Sequence, residues 1–93
     1  MEKNYNLNEK EKEEELLIPL TEEDIYNNYM KNRRSYLVKK KGSGGNIVGD
    51  IFILKILSAT KVCFLVQEES MNSRYIYKNE IFKEYQFIES LTF

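Results

Sequence analysis

The stretch IVGDIFILKIL, residues 47–57, carries the strongest strand signal in this sequence. Its apolar residues fall on both faces of an extended chain: Phe52, Leu54 and Ile56 on one face, and Ile51, Ile53 and Leu57 on the other. Two apolar faces are typical of a strand that is covered on both sides. A short connection at residues 58–60 leads into a second apolar strand at residues 61–67, so we expect a central hairpin.

Three more strands are predicted around this hairpin. They are residues 36–41, 73–78 and 85–88, with a glycine-rich loop at residues 42–46 and a helical turn at residues 80–83. In the second of these strands, Tyr75 and Tyr77 alternate with other side chains and therefore share one face. Five short strands around a covered central strand predict a small closed barrel.

One helix is predicted before the strands, over residues 21–35. Thr21 is a suitable N-cap, and the acids at residues 22–24 favour the positive end of the helix dipole. Cations at residues 31–34 favour the opposite end, so we expect the helix to end near Ser35.

Charge is distributed unevenly along the chain, although the net charge is only −1. Residues 1–24 carry a net charge of −6, residues 31–61 a net charge of +7, and residues 62–93 a net charge of −2. Residues 1–15 lack an apolar stripe at helical spacing, so they are predicted to form a flexible acidic arm. Residues 16–93 are predicted to form a single domain.

The composition argues against most catalytic chemistry. The chain has no histidine and one cysteine, so it lacks the residues of a Ser-His-Asp triad, a Cys-His pair or a cysteine-rich zinc site. We therefore expect no metal, no cofactor and no enzymatic activity. The first residues do not resemble a signal peptide and the apolar runs are too short to cross a membrane, which predicts a cytoplasmic protein without membrane contact.

Three stretches carry a resemblance to a known group of proteins. VGDIFILKI at residues 48–56 has a Gly-Asp pair at its start, VCFLV at residues 62–66 follows it, and RYIYKNEIF at residues 74–82 contains a turn before the last strand. Over residues 47–88 the chain resembles small phage and mobile-element proteins with an SH3-like β-barrel. The resemblance implies an α+β, mainly β fold, in which an SH3-like five-stranded barrel at residues 36–93 follows one helix.

The same resemblance implies a function by binding. Its sharpest form is an anti-CRISPR-like or other anti-defence protein that inhibits a nucleic-acid-handling complex in the cytoplasm of a bacterial host. The residues expected to contact such a protein target are Glu13, Glu14, Glu15, Tyr26, Tyr29, Tyr75 and Tyr77. Carboxylates of the acidic arm suit a basic groove, and tyrosine offers a large rigid area with a polar tip.

The alternative is a small regulator that binds RNA or DNA through the basic segment at residues 31–41. Its candidate residues are Lys31, Arg33, Arg34, Tyr36, Lys39, Lys40 and Lys41. Cations neutralise phosphates and aromatic rings stack on bases, so this composition suits a nucleic-acid surface. A homodimer that buries the tyrosines is a third interpretation.

Overall fold

A computed structural model describes residues 18–91 and shows an α+β fold that is mainly β. In chain order its elements are α1 (Glu22–Met30), β1 (Ser35–Lys41), a first 3-10 turn (Ser43–Gly45), β2 (Ile47–Ala59), β3 (Cys63–Glu68), β4 (Arg74–Tyr77), a second 3-10 turn (Lys78–Glu80), α2 (Ile81–Glu84) and β5 (Tyr85–Leu91). The strands form one antiparallel sheet in the order β4-β3-β2-β1-β5. The predicted α+β, mainly β class and the central hairpin of β2 and β3 are confirmed.

Strand β2 connects the two halves of the sheet. Its first part lies opposite β1 and its last part lies opposite β3, and the two pairings overlap at Leu54 and Lys55. The register with β3 shifts between Ile56 and Ser58. A shift of this kind marks a bulge, which increases the local twist of a strand. One strand of thirteen residues can therefore serve two neighbours in succession.

The sheet does not close into a barrel, so this part of the sequence prediction is wrong. β5 returns to pair with β1, and β4 pairs with β3. β4 has only four residues, because the chain turns into the second 3-10 turn immediately after Tyr77. The two strands that closure would join are therefore the two edges of an open sheet.

The core lies on one face of this sheet. Its fully or almost fully buried apolar side chains are Ile25, Tyr36, Val38, Leu54, Ile56, Phe64, Val66, Ile76, Ile81 and Tyr85. Ile25 and Ile81 belong to this cluster, so both helices pack on the same face. On the opposite face of β2, Ile51 is 48% exposed and Leu57 is 40% exposed. The prediction that β2 is covered on both sides is therefore wrong.

Helix α1 begins where the sequence predicts. The side-chain oxygen of Thr21 accepts the backbone N–H of Asp24 at 3.2 Å, and the Asp24 carboxylate accepts the backbone N–H of Thr21 at 3.1 Å. These two reciprocal hydrogen bonds form a capping box.

The helix ends at Met30, earlier than the charge pattern predicts. Asn32 adopts a left-handed conformation with φ of 64°, and the N–H of Arg33 reaches back to the carbonyl of Asn28 at 2.8 Å. This arrangement is a Schellman motif, in which asparagine is one of the few residues that tolerate positive φ. The cations at residues 31–34 therefore follow the helix and do not belong to its last turn.

Candidate interaction surface

Four side chains form a small, partly exposed surface on the sheet face opposite the core: Cys63, Leu65, Tyr75 and Tyr77, hereafter the tyrosine face. Cys63 lies opposite Tyr77 and Leu65 lies opposite Tyr75 in the β3–β4 register. Tyr75 is 64% exposed and Tyr77 is 63% exposed, whereas the other two side chains are half-buried. Two large aromatic side chains are thus exposed to solvent next to each other on an edge strand of the sheet.

The alternation of β4 places the tyrosines on this face. Ile76, between them, points into the core and lies opposite the buried Phe64. Because successive side chains of a strand point to opposite faces, burial of Ile76 forces both tyrosines outward. Cys63 and Leu65 share their face for the same reason. The sequence alone indicates that the two tyrosines share a face. Which β3 side chains lie beside them depends on the strand register.

A groove of about 370 Å³ runs beside the tyrosine face, where the second 3-10 turn follows β4. Its lining residues are Glu22, Lys61, Val62, Tyr77, Lys78 and Asn79. The ammonium of Lys78 lies over the ring of Tyr26 at 5.0 Å and over that of Phe64 at 5.3 Å. Such cation–π contacts are attractive and restrain the position of the lysine. The groove contains two cations and one carboxylate.

A second polar cluster lies near the other end of β4, on the core side of the sheet. The Glu68 carboxylate accepts hydrogen bonds from the ammonium of Lys40 at 2.7 Å and from the hydroxyl of Tyr85. The guanidinium of Arg74 donates to Tyr85 at 2.8 Å and to the Glu84 carboxylate at 3.0 Å. Four elements, β1, β3, β4 and the α2–β5 junction, are therefore joined through one group of side chains, hereafter the Glu68 cluster.

Burial and charge act in opposite directions on the pKa of Glu68. Burial alone would raise it, but the hydrogen bonds from Lys40 and Tyr85, with the charges of Lys40 and Arg74, lower it below its usual value. Burial raises the pKa of Tyr85 strongly, and the neighbouring Glu68 carboxylate raises it further. The cluster is therefore stable with Glu68 ionised and Tyr85 protonated. These contacts give it a clear structural role, since they join side chains of four strands, β1, β3, β4 and β5.

The residues predicted to contact a protein partner lie in different places. Glu13, Glu14 and Glu15 are outside the described residues. Tyr26 is partly exposed and lies beneath Lys78. Tyr29 packs against the core, and the guanidinium of Arg34 covers its ring at 3.9 Å. Of the predicted contacts that lie within residues 18–91, only Tyr75 and Tyr77 share one face of the sheet.

The basic segment of the alternative prediction does not form one continuous cationic surface. Tyr36 is completely buried in the core, where its hydroxyl accepts a hydrogen bond from Asn28, so this ring is not available to stack on a base. Lys40 pairs with Glu68, and Lys41 donates to the carbonyl of Phe82 at 2.9 Å. The remaining cations of the segment are exposed or half-exposed: Lys31, Arg33, Arg34 and Lys39. Their number is smaller than the sequence suggests, because the fold uses some of them internally.

Four residues beside the tyrosines are not predicted as site residues from the sequence: Leu65, Lys61, Val62 and Lys78. Each carries only a weak signal alone, since an isolated leucine, valine or lysine is common on protein surfaces. Their association with the tyrosines follows from the pairing of β3 with β4, which places Val62 and Lys78 next to each other at the end of the ladder.

Comparisons with known proteins add no family to this description: no protein-family model, curated protein or solved structure matches the chain. Among residues 18–91, no group of three or more His, Cys, Asp or Glu side chains is placed to hold a metal ion. In the same part of the chain, neither helix is long and apolar enough to cross a membrane.

Proposed function

We propose that this chain acts without catalysis, by binding a protein partner through the tyrosine face. The observation that carries the proposal is the pair of adjacent tyrosines, Tyr75 and Tyr77, each more than three-fifths exposed beside the half-buried Leu65. Tyrosine is enriched among the residues that dominate binding energy, and adjacent apolar side chains help to exclude water from such contacts. The backbone that carries these tyrosines is paired with β3, and a backbone that is already ordered lowers the entropic cost of binding.

The more specific form of this proposal is an accessory protein of a phage or mobile element. In this form the partner is a host complex that handles nucleic acid, as in an anti-CRISPR inhibitor. An open relative of the SH3-like barrel is part of the same proposal. Support for it comes from the return of β5 to β1 and from the short helical turns that precede β5.

The experiment compares the tagged full chain with a variant that carries Tyr75→Ala and Tyr77→Ala. Both proteins are used to capture partners from a bacterial lysate. A matched control carries Gln86→Ala and Glu89→Ala, two exposed positions on β5 that take part in none of the ion pairs among residues 18–91. We expect the tyrosine variant to lose the captured proteins and the control to retain them. Equal capture by all three proteins would refute the role of the tyrosine face.

Direct binding of nucleic acid is the competing proposal, with Lys31, Arg33, Arg34 and Lys39 as its remaining exposed or half-exposed contacts. Arg34 is left unchanged in the test, because its guanidinium packs on the Tyr29 ring and donates to the Tyr29 carbonyl. Titration of single-stranded RNA and DNA at increasing salt distinguishes the two proposals, because an affinity that depends on phosphate contacts falls steeply with salt. Replacement of the other three cations by alanine leaves the Glu68 cluster intact. A steep salt dependence that this variant abolishes would favour nucleic acid over a protein partner.

A further inference from the structure

Strand β4 is an edge of the sheet with its tyrosines in solvent. It pairs with β3 on one side, and on the other side no strand among residues 18–91 pairs with it. A free edge presents unpaired backbone donors and acceptors, which an extended segment of another chain can use.

The hydrogen bonds of β4 show which peptide groups face this free edge. The N–H of Lys78 donates to the carbonyl of Val62 at 2.9 Å, so this N–H faces β3. Backbone groups of alternate residues in an antiparallel ladder point to opposite sides. The N–H and C=O of Tyr75 and the N–H of Tyr77 therefore point away from β3. The two exposed tyrosines thus supply both side chains and backbone groups at one edge.

We propose that β4 binds an extended, acidic segment of a partner protein as an added strand. This inference rests on the proposed function and specifies the chemistry of the partner. Alternate side chains of an added strand lie on opposite faces of the sheet. Apolar side chains of the segment would lie beside Tyr75 and Tyr77, and the intervening acidic side chains would lie on the face that carries Arg74 and Lys78.

Charge near the edge favours this acidic partner. The groove beside β4 contains Lys61 and Lys78 against a single carboxylate, that of Glu22. Among residues 18–91, neither of these two lysines forms an ion pair. An acidic side chain that enters the groove would therefore meet cations whose charge is not already neutralised.

A second copy of this chain fits the same edge less well. Antiparallel pairing of two β4 strands centred on Ile76 would place Arg74 of one copy opposite Lys78 of the other, twice in the symmetric dimer. Like charges directly opposite each other destabilise a strand pair. The acidic segment brings the opposite charge to the same positions.

The probe is a fluorescent peptide of about eight residues, an ordinary strand length, in which glutamate and valine alternate. A second peptide has lysine in place of every glutamate. Fluorescence anisotropy with the full chain measures both affinities. We expect the glutamate peptide to bind at least about tenfold more tightly, because it brings opposite charge to Lys61 and Lys78, which form no ion pair among residues 18–91. Equal binding of the two peptides, or no binding of the glutamate peptide, would overturn the proposal.

Tyr77→Pro and Tyr77→Ala form a matched pair that isolates the backbone contribution. Both remove the aromatic side chain, but only proline removes the N–H that faces the free edge. The φ of Tyr77 is −63°, a value that proline adopts without strain, so the fold tolerates both variants. We expect the proline variant to bind the glutamate peptide about five- to tenfold more weakly than the alanine variant, the equivalent of one hydrogen bond. Circular dichroism confirms that both remain folded.

Equal affinities of the Tyr77→Pro and Tyr77→Ala variants would refute strand addition. Suppose that these two affinities are equal but the Tyr75→Ala and Tyr77→Ala double variant fails to capture the lysate partners of the wild type. The tyrosine face then binds by side chains alone, and the proposed function stands. If the double variant keeps its partners, the proposed function itself fails. Sedimentation equilibrium provides a further check: a dimer that Tyr77→Pro dissociates would overturn the acidic partner in favour of a second copy.

Discussion

Replacement of Glu68 by glutamine removes the charge at the centre of the Glu68 cluster and changes the side-chain shape little. Glu68 accepts the ammonium of Lys40 at 2.7 Å and the hydroxyl of Tyr85, and the guanidinium of Arg74 lies 3.8 Å from the same oxygen. Its side chain is only 19% exposed, so water replaces these contacts poorly. We expect Glu68→Gln to destabilise the fold.

The magnitude follows from the charge-assisted contacts. A hydrogen bond to a charged group contributes roughly 1.5–3 kcal/mol to stability. The side chain of Lys40 is 38% exposed, so its ammonium is partly hydrated by water when Glu68 loses its charge. This hydration reduces the loss of stability. The amide oxygen of glutamine still accepts the hydroxyl of Tyr85. These opposing effects give an expected loss of about 2 kcal/mol at neutral pH, which lowers Tm by roughly 8–16 °C in a domain of this size.

Urea denaturation across a pH series measures this loss and its origin. The pKa of Glu68 in the folded chain is below its usual value of 4.5, which it regains on unfolding. Its contribution to stability is therefore present above pH 4.5 and is lost as the pH falls through the lower folded value. The difference between wild type and Glu68→Gln should shrink in the same acidic range.

Glu69→Gln is the matched control, because Glu69 is the adjacent glutamate, is exposed and forms none of the ion pairs among residues 18–91. We expect it to change stability by less than about 0.5 kcal/mol. The reasoning is refuted if Glu68→Gln costs no more than this control. It is also refuted if the cost of Glu68→Gln is the same at acidic and neutral pH.

Three further changes test other parts of the fold. Ile25→Ala, at a fully buried position of α1, should cost about 2–5 kcal/mol in chemical denaturation, and a cost below about 1 kcal/mol would contradict the packing of α1 on the sheet. Gly49→Ala should lower the free energy of unfolding by about 1–2 kcal/mol in the same assay, because φ at this position is +79°. An added Cβ meets no atom within 4 Å, so the loss comes from backbone strain alone. A neutral result would exclude that conformation. Burial and the Glu68 carboxylate raise the pKa of Tyr85 in the folded chain, so above pH 10 this hydroxyl ionises more readily in the unfolded chain. Alkaline denaturation should therefore show that wild type loses more stability above pH 10 than Tyr85→Phe. Identical profiles would argue against the buried hydroxyl.

Local patterns in the sequence predict much of the secondary structure, because short-range chemistry determines it. Thr21 and Asp24 form the capping box at the start of α1, and the alternation around Ile76 gives β4 its two faces. The predicted end of α1 near Ser35 is wrong, because the positive φ of Asn32 stops the helix at Met30. A single asparagine is a weak signal, since the same residue is common within turns and helices.

Sheet closure and burial could not be read from the sequence, because both depend on long-range pairing. The apolar residues on both faces of β2 suggested a covered strand, yet Ile51 and Leu57 are substantially exposed. The same limit applies to the tyrosine face: alternation along the sequence predicts that Tyr75 and Tyr77 share a face, but the β3 register that adds Leu65 is a tertiary property. By its position in the sequence, Lys40 likewise belongs to the basic segment. Its ion pair with Glu68 is visible only in the folded structure.

The pairing of β5 with β1 affects the order in which the protein can fold as it is synthesised. Ser35 lies opposite Leu91, so strands at opposite ends of the sheet-forming part of the chain become neighbours. The β1–β2–β3–β4 meander can assemble while translation continues, but β1 keeps an unpaired side until β5 has left the ribosome. Contacts this distant in sequence slow folding. During that interval the nascent chain exposes an additional strand edge, at which chaperone binding or mispairing with a neighbouring chain competes with completion of the native sheet.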